Sequence, residues 1–341
     1  MENRKNGRLD YIDVARGFVI ILMLIGHADA PTPLVKTIFG FHMPFFFILS
    51  GLLYNKEKWA NLGIIKLIVS KFKAYILPYF ILTFLNLLIN IPIESMKGIH
   101  GQALLDSTLS HIGWIFYSWG AYDTLPNCTP LWFLPCMFLC CIFFYLLQKI
   151  KSTFIQAIVC SVSVAIDYIL YLSIDEFQLP WHINVALIGT TFMYIGFKLK
   201  ETEFIHKISH GIPTTISMLV LGAYCIATNN KIDLCQNTLG NVVLLYIGAA
   251  TISTAIIFVC FKYASNFSFI AYLGKNTILI MAFNYAINSY SDRLWECIPF
   301  LQNTIYPWWL KTIIDIICCT AIIFGWTKLK EKCPKLKHLH I

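Results

Sequence analysis

Arg8 to Pro31 reads RLDYIDVARGFVIILMLIGHADAP, an apolar stretch long enough to cross a bilayer that nevertheless carries Asp13, Arg16 and His27. Ionisable groups at membrane depth are expensive, so they face a protein interior or a water-filled cavity and mark a functional site. At 100° per residue, Arg16 and His27 fall about 20° apart around a helix, with Asp13 about 40° from His27 on the other side. The three share one stripe, and the helix carries a polar line into the membrane.

The rest of the 341-residue chain fits that reading: 57% of it is hydrophobic and 13% charged, against about a quarter charged in soluble domains. Apolar runs of span length predict an all-α, polytopic membrane helical bundle of ten transmembrane helices, near 11–30, 37–54, 74–93, 129–149, 152–173, 180–198, 211–228, 239–261, 267–289 and 305–327. Charge gives an independent check, because Lys and Arg collect in short cytoplasmic loops. With both termini cytoplasmic, the inner segments hold Arg4, Lys5 and Arg8, then Lys56, Lys58, Lys66, Lys71 and Lys73, then Lys149 and Lys151, then Lys198, Lys200 and Lys207, then Lys262, and finally Lys328, Lys330, Lys332, Lys335 and Lys337. The opposite loops hold Lys36, Lys97, Lys231 and Arg293 beside Asp106, Asp123, Asp175, Glu176, Asp233, Asp292 and Glu296. The net charge of +8 therefore has a topological origin and implies no nucleic-acid partner. A first apolar run interrupted by Arg16 does not read as a cleavable signal peptide.

Most of the twelve cysteines lie within apolar runs and read as small packing residues. With no CxxC pair, neither a metal site nor a disulfide framework is expected. The chain divides into a cytoplasmic N-terminus, 1–10, one membrane domain, 11–327, and a basic cytoplasmic tail, 328–341. Two segments read as non-spanning. Leu62 to Lys73 alternates apolar residues with lysines, as an amphipathic helix on the cytoplasmic face does. Ala103 to Trp119, inside the long outer loop, reads either as a lid over an outward-facing cavity or as an interfacial helix anchored by Trp114, Tyr117 and Trp119.

His27 is the first catalytic candidate, since an imidazole of ordinary pKa near 6.5 takes a proton from an alcohol and returns it to a leaving group. Arg16 offers a bidentate grip on phosphate, although snorkelling to lipid phosphates explains it equally. Eleven residues of helical rise separate Arg16 from His27 by about 16 Å. A ligand touching both must be long, and an extended phosphopantetheine arm has about that reach. Asp13, one turn before Arg16, orients the guanidinium.

The opening resembles the first-span motif of the integral-membrane acyltransferases called acyltransferase family 3, which O-acylate glycans and related acceptors: Arg16, ten residues, then His27, preceded by Asp13 and followed by Gly17. FGFHMPFFFILSGLLY from Phe39 to Tyr54, PLWFLPCMF from Pro130 to Phe138 and YLGKNTILI from Tyr272 to Ile280 are similar to further family stretches, in order along most of the chain. The resemblance implies a ten-span layout, Arg16 and His27 as the essential pair and acyl-CoA, most often acetyl-CoA, as donor. His42 and Trp132 become candidates for the substrate side. His42 and Pro44 also have a structural reading, a proline kink with the histidine satisfying the freed carbonyl. Two departures stand out. Many relatives that modify lipopolysaccharide carry Arg-x-x-Arg before the third span, whereas SKFKAYILPY here supplies Lys71 and Lys73, which attract phosphate without the arginine fork. Asn284 stands where relatives often hold His. With no appended esterase-like domain, the chain is similar to the family's short form.

The expectation is transfer of an acyl group, acetyl in the first instance, from cytoplasmic acyl-CoA to a hydroxyl of a cell-surface or lipid-linked glycan in a bacterial cytoplasmic membrane. His27 then acts as general base or transient acyl carrier, with no metal and with membrane lipids as surroundings. The alternatives are a secondary transporter of a small polar solute, for which paired broken helices in the two halves are not evident, and a catalytically idle glycan-binding or sensory module.

Overall fold

The computed structural model describes residues 4–5, 8–120, 124–173, 178–204, 211–263, 267–299, 301, 304–333, 336 and 339. Asp123, Asp175, Glu176, Lys207, Lys335 and Lys337, used above for sidedness, lie outside the described residues. Apart from a two-residue antiparallel pairing of Arg4–Lys5 with Arg8–Leu9 and an isolated bridge between Asp233 and Thr238, the described secondary structure is helical.

Helix α1, Asp10–Gly26, and α2, Thr32–Leu52, form a tight hairpin. Next come α3, Lys56–Lys71, a π-helical turn at Phe72–Ile76, α4, Leu77–Met96, and α5, Gly101–Tyr117. A 3-10 turn at Thr129–Trp132 leads into α6, Phe133–Leu147, followed by α7, Thr153–Ser173, and α8, Ile183–Glu201. The last third holds α9, Ile212–Thr228, α10, Val242–Tyr263, α11, Ser268–Lys275, α12, Thr277–Cys297, and α13, Trp308–Lys332.

A helix lies at every run expected to span, and six segments are long and apolar enough to cross a membrane by length and composition: Thr32–Leu52, Lys56–Met96, Thr129–Leu147, Thr153–Ser173, Val242–Tyr263 and Trp308–Lys332. The remaining four fall short for physical reasons. α1 and α9 are each 17 residues long, and α8 closes on Lys198, Lys200 and Glu201. The run near 267–289 is two helices rather than one, broken at Asn276, and α12 ends in the polar sequence Asp292, Arg293, Glu296. Large apolar side chains such as Phe154, Ile169, Leu172, Val220 and Phe324 point outward from the bundle, which suits lipid rather than water. The chain is a multi-pass helical membrane protein.

The amphipathic stretch before the third span is not detached: α3, the π turn and α4 run on as one 41-residue helical segment, with Gly63 departing from helical geometry at φ 79°. α5 folds back along α4. Glu94 accepts from Ser107 Oγ at 2.9 Å, with His111 Nε2 3.3 Å away, and Tyr79 Oη donates to the Ile115 carbonyl at 2.7 Å. Of the stretch Ala103 to Trp119, α5 itself packs on the neighbouring α4 through these contacts. α13 continues to Lys332, one turn past the boundary expected for the basic tail.

α1 sits centrally against α2, α10, α11, α12 and α13, while α2 packs on α8 and α10. Four glycines permit the closest approaches. A Cβ at Gly17 would strike the Ile270 carbonyl and one at Gly274 the Asp13 carbonyl, so α1 and α11 interlock reciprocally. Gly51 and Gly196 do the same for α2 and α8, against the carbonyls of Met193 and Ile48. Small residues that let backbones touch are the usual means of helix association in lipid, where apolar burial supplies little net drive. α4 then anchors α12 through polar contacts: Asn86 Nδ2 donates to the Ala282 carbonyl at 3.0 Å, and Asn90, Asn127 and Ser289 form a hydrogen-bonded chain.

Candidate active site

His27 occupies the turn just beyond α1, its amide still donating to the Met23 carbonyl at 3.1 Å. The imidazole is bracketed by two helices distant in sequence. Phe39 of α2 meets it edge-on with centroids 5.3 Å apart, and Tyr285 of α12 places its hydroxyl 3.2 Å from Nδ1. Asn288, one turn further along α12, donates Nδ2–H to the His27 carbonyl at 3.2 Å. With Nδ1 engaged by Tyr285, Nε2 is the ring atom left for a substrate.

The ring lines a cavity of about 220 Å³ together with His42, Phe46, Trp132, Gln236 and Tyr285. His42 is buried and donates Nδ1–H to the Ile38 carbonyl at 2.9 Å, again directing Nε2 away from the backbone. Pro44 deprives Gly40 of its usual partner, so His42 engages a different carbonyl from the one the kink frees. Trp132 is almost fully buried, stacked on His182 at 4.3 Å, while Phe45 and Phe47 are wholly core.

The loop joining α9 to α10 contributes Asp233, Leu234, Cys235 and Gln236 to the cavity wall. It is internally tied: Asn229 Oδ1 accepts from the amides of Asn230 and Asn241 at 2.8 and 2.6 Å, and Asp233 pairs with Thr238. His182 Nε2 donates to the Cys235 carbonyl at 3.2 Å, holding the loop down on the bundle. Burial pushes the Asp233 carboxyl above the ordinary carboxylate pKa.

Arg16 and Asp13 lie at the opposite end of α1. Asp13 is buried, its Oδ1 3.7 Å from Arg16 Nη1, and the Arg16 side chain keeps 31% of its accessibility. Arg16 acts electrostatically on Lys71 and on Tyr75 of the π turn. The Lys71 ammonium lies 5.8 Å from the Trp59 ring and 5.6 Å from Tyr75. Lys73 is exposed. The structure thus sets Arg16 beside Asp13 with Lys71 within electrostatic reach, leaves Lys73 exposed, and gathers His27, His42 and Trp132 around one cavity at the other end of the helix.

Tyr285, Asn288 and the 229–241 loop were not anticipated. One available signal was the helical repeat Asn284, Asn288, Asp292 in an otherwise apolar run. A companion pair on α13, Lys311 and Asp315, is also buried. Lys311 Nζ meets Asp29 at 2.5 Å and Asp292 at 2.6 Å, pinning the turn that carries His27 to α12 and α13.

Residues 9–327 match the family model described as an acyltransferase domain, that of acyltransferase family 3. No curated protein and no solved structure gives a significant match.

Proposed function

The chain belongs to acyltransferase family 3, and on that premise we propose that it moves an acetyl group from cytoplasmic acetyl-CoA to a hydroxyl of a cell-surface or lipid-linked glycan, in a bacterial cytoplasmic membrane. Membership of an acyltransferase family displaces the transporter alternative. The observation that carries the reading is the division of one helix, with a cationic group at its Arg16 end and a histidine-lined cavity at its His27 end.

A coenzyme A thioester suits that division. Its phosphates are anionic and its pantetheine arm spans about the 16 Å of helical rise between the two residues. Arg16 grips phosphate through its planar fork, with Asp13 fixing the guanidinium and Lys71 adding a point charge. At the other end, His27 Nε2 takes the proton of the acceptor hydroxyl as its oxygen attacks the thioester carbonyl. The carbon–sulfur bond then breaks, and the sulfur receives the proton back from the imidazole. In the alternative route the imidazole nitrogen attacks the thioester carbonyl, the carbon–sulfur bond breaks and coenzyme A leaves as the thiolate. The acceptor oxygen then attacks the acyl-imidazole, the nitrogen–acyl bond breaks, and the hydroxyl proton passes to the released imidazole. Only that route leaves acylated enzyme when acceptor is withheld.

The test is membrane vesicles holding wild type or His27→Ala, supplied with labelled acetyl-CoA. Label in extractable lipid-linked glycan or polymer that disappears with the variant supports the proposal. Equal label from both removes His27 from the chemistry, and wild-type vesicles that consume no acetyl-CoA overturn the choice of donor.

A further inference from the structure

Between the cationic group and His27 lies a band of apolar side chains contributed by three helices. On α1, Ile20 and Met23 fall between Arg16 and His27. On α2, which runs antiparallel, Phe39 and His42 stand beside His27 and Met43 and Phe46 follow one turn deeper. On the α11–α12 segment, Gly274 abuts Asp13 and Tyr285 meets His27, so Met281 lies between those levels. All five line the cavity, and all but Phe46 are buried. Three of the chain's eight methionines meet here.

We propose that Met23, Met43 and Met281, with Ile20 and Phe46, form a collar that binds the thioester-bearing arm of the acyl donor and sets the length of acyl chain accepted. This rests on the acyl-CoA reading above and adds a subsite to it. The five collar side chains offer no N–H or O–H donor, so this part of the wall suits the unbranched acyl and thioethyl end of the donor and disfavours the nucleotide and the sugar, while His27, His42, Gln236 and Tyr285 supply the polar side of the cavity. Methionine is unbranched, has three rotatable bonds and presents a polarisable sulfur, so such a wall yields to a threading chain and closes behind it. The cavity of about 220 Å³ is smaller than the roughly 300–1,000 Å³ of drug-sized sites. It leaves room for a short acyl group beside one acceptor hydroxyl and little for a longer chain until a methionine is cut back.

The test supplies membrane vesicles with an equimolar mixture of acetyl-CoA, butyryl-CoA and hexanoyl-CoA, and measures by mass the acyl groups delivered to product. A ratio within one sample does not depend on how much enzyme folds. Met43→Ala and Met281→Ala are expected to raise the hexanoyl-to-acetyl ratio by about tenfold or more, the discrimination that methylene-sized space in an apolar pocket supports. Met193→Ala removes a buried methionine outside the collar and is expected to leave the ratio unchanged. A ratio within about twofold of wild type in both collar variants overturns the inference, as does an equal rise in Met193→Ala. Where truncation to Ala prevents folding, Met43→Val and Met281→Val carry the same test with a smaller opening, and a flat ratio there also counts against it. Wild-type vesicles that consume none of the three donors would fail the acyl-CoA reading itself, a result distinct from a flat ratio in active enzyme.

Discussion

At its Arg16 end α1 sets Asp13 beside the guanidinium with Lys71 within electrostatic reach, whereas at the other end the His27 ring and carbonyl meet Phe39, Tyr285 and Asn288, none of them charged, and the ion pairs of Lys311 with Asp29 and Asp292 hold the turn rather than the imidazole. The same helix serves both environments because they ask different things of a side chain. A phosphate is held by permanent opposite charge and a planar donor fork, so the guanidinium is useful while partly solvated. In the proposed reaction, proton transfer needs an imidazole whose lone pair is aimed and not spent on an ion pair, a condition that the Tyr285 phenol and the Asn288-anchored turn would meet.

The largest expected effect bears on the His27 end. His27→Ala should lower acetyl transfer by about 10²–10⁴-fold, the usual contribution of a positioned acid–base group, while photolabelling by an azido-adenine analogue of coenzyme A at the Arg16 end persists. Loss of both would merge the two ends into one functional unit and break the contrast. Tyr285→Phe removes the hydroxyl beside Nδ1 and keeps the ring. A fall in kcat of roughly tenfold with KM for acetyl-CoA unchanged is expected, since a hydrogen bond to a group that becomes charged is worth about 1.5–3 kcal/mol. A rise in KM alone would move Tyr285 to ground-state binding.

At the other end the signature reverses. Arg16→Lys keeps the charge and loses the fork, and KM for acetyl-CoA should rise about tenfold, or about 1.4 kcal/mol, with kcat nearly held. The smallest effect separates two neighbours: Lys71→Ala should raise KM about threefold at low ionic strength and less at high salt, because a solvent-accessible charge is screened, while Lys73→Ala leaves KM unmoved. Equal effects from the two lysines would return Lys73 to the cationic group.

Much of this division is legible before any coordinates. Hydropathy locates the helices because lipid demands long apolar segments, and 100° spacing predicts Asp13, Arg16 and His27 on one stripe, although α1 closes at Gly26 and His27 stands in the turn beyond it. What fails is whatever depends on distant partners. The break at Asn276 hides inside an apolar run that hydropathy cannot divide. Tyr285 and Asn288 stand some 260 residues from His27, and the packing of α12 on α1, α4 and α13 brings them there. The lysines of SKFKAYILPY are indistinguishable in one dimension; the helical continuation through the π turn leaves Lys71 near Arg16 and Lys73 exposed.

The interlocked glycines also have a mechanical consequence. A helix whose backbone seats in a notch on its neighbour cannot slide or tilt by small amounts, so α1 with α11, and α2 with α8, behave as stators. Asn276 separates that fixed α11 from α12, and α12 is tied to the same frame, since Tyr285 and Asn288 bond His27, Asn86 donates to the Ala282 carbonyl and Asp292 meets Lys311. The His27 end is thus built from parts that hold their spacing.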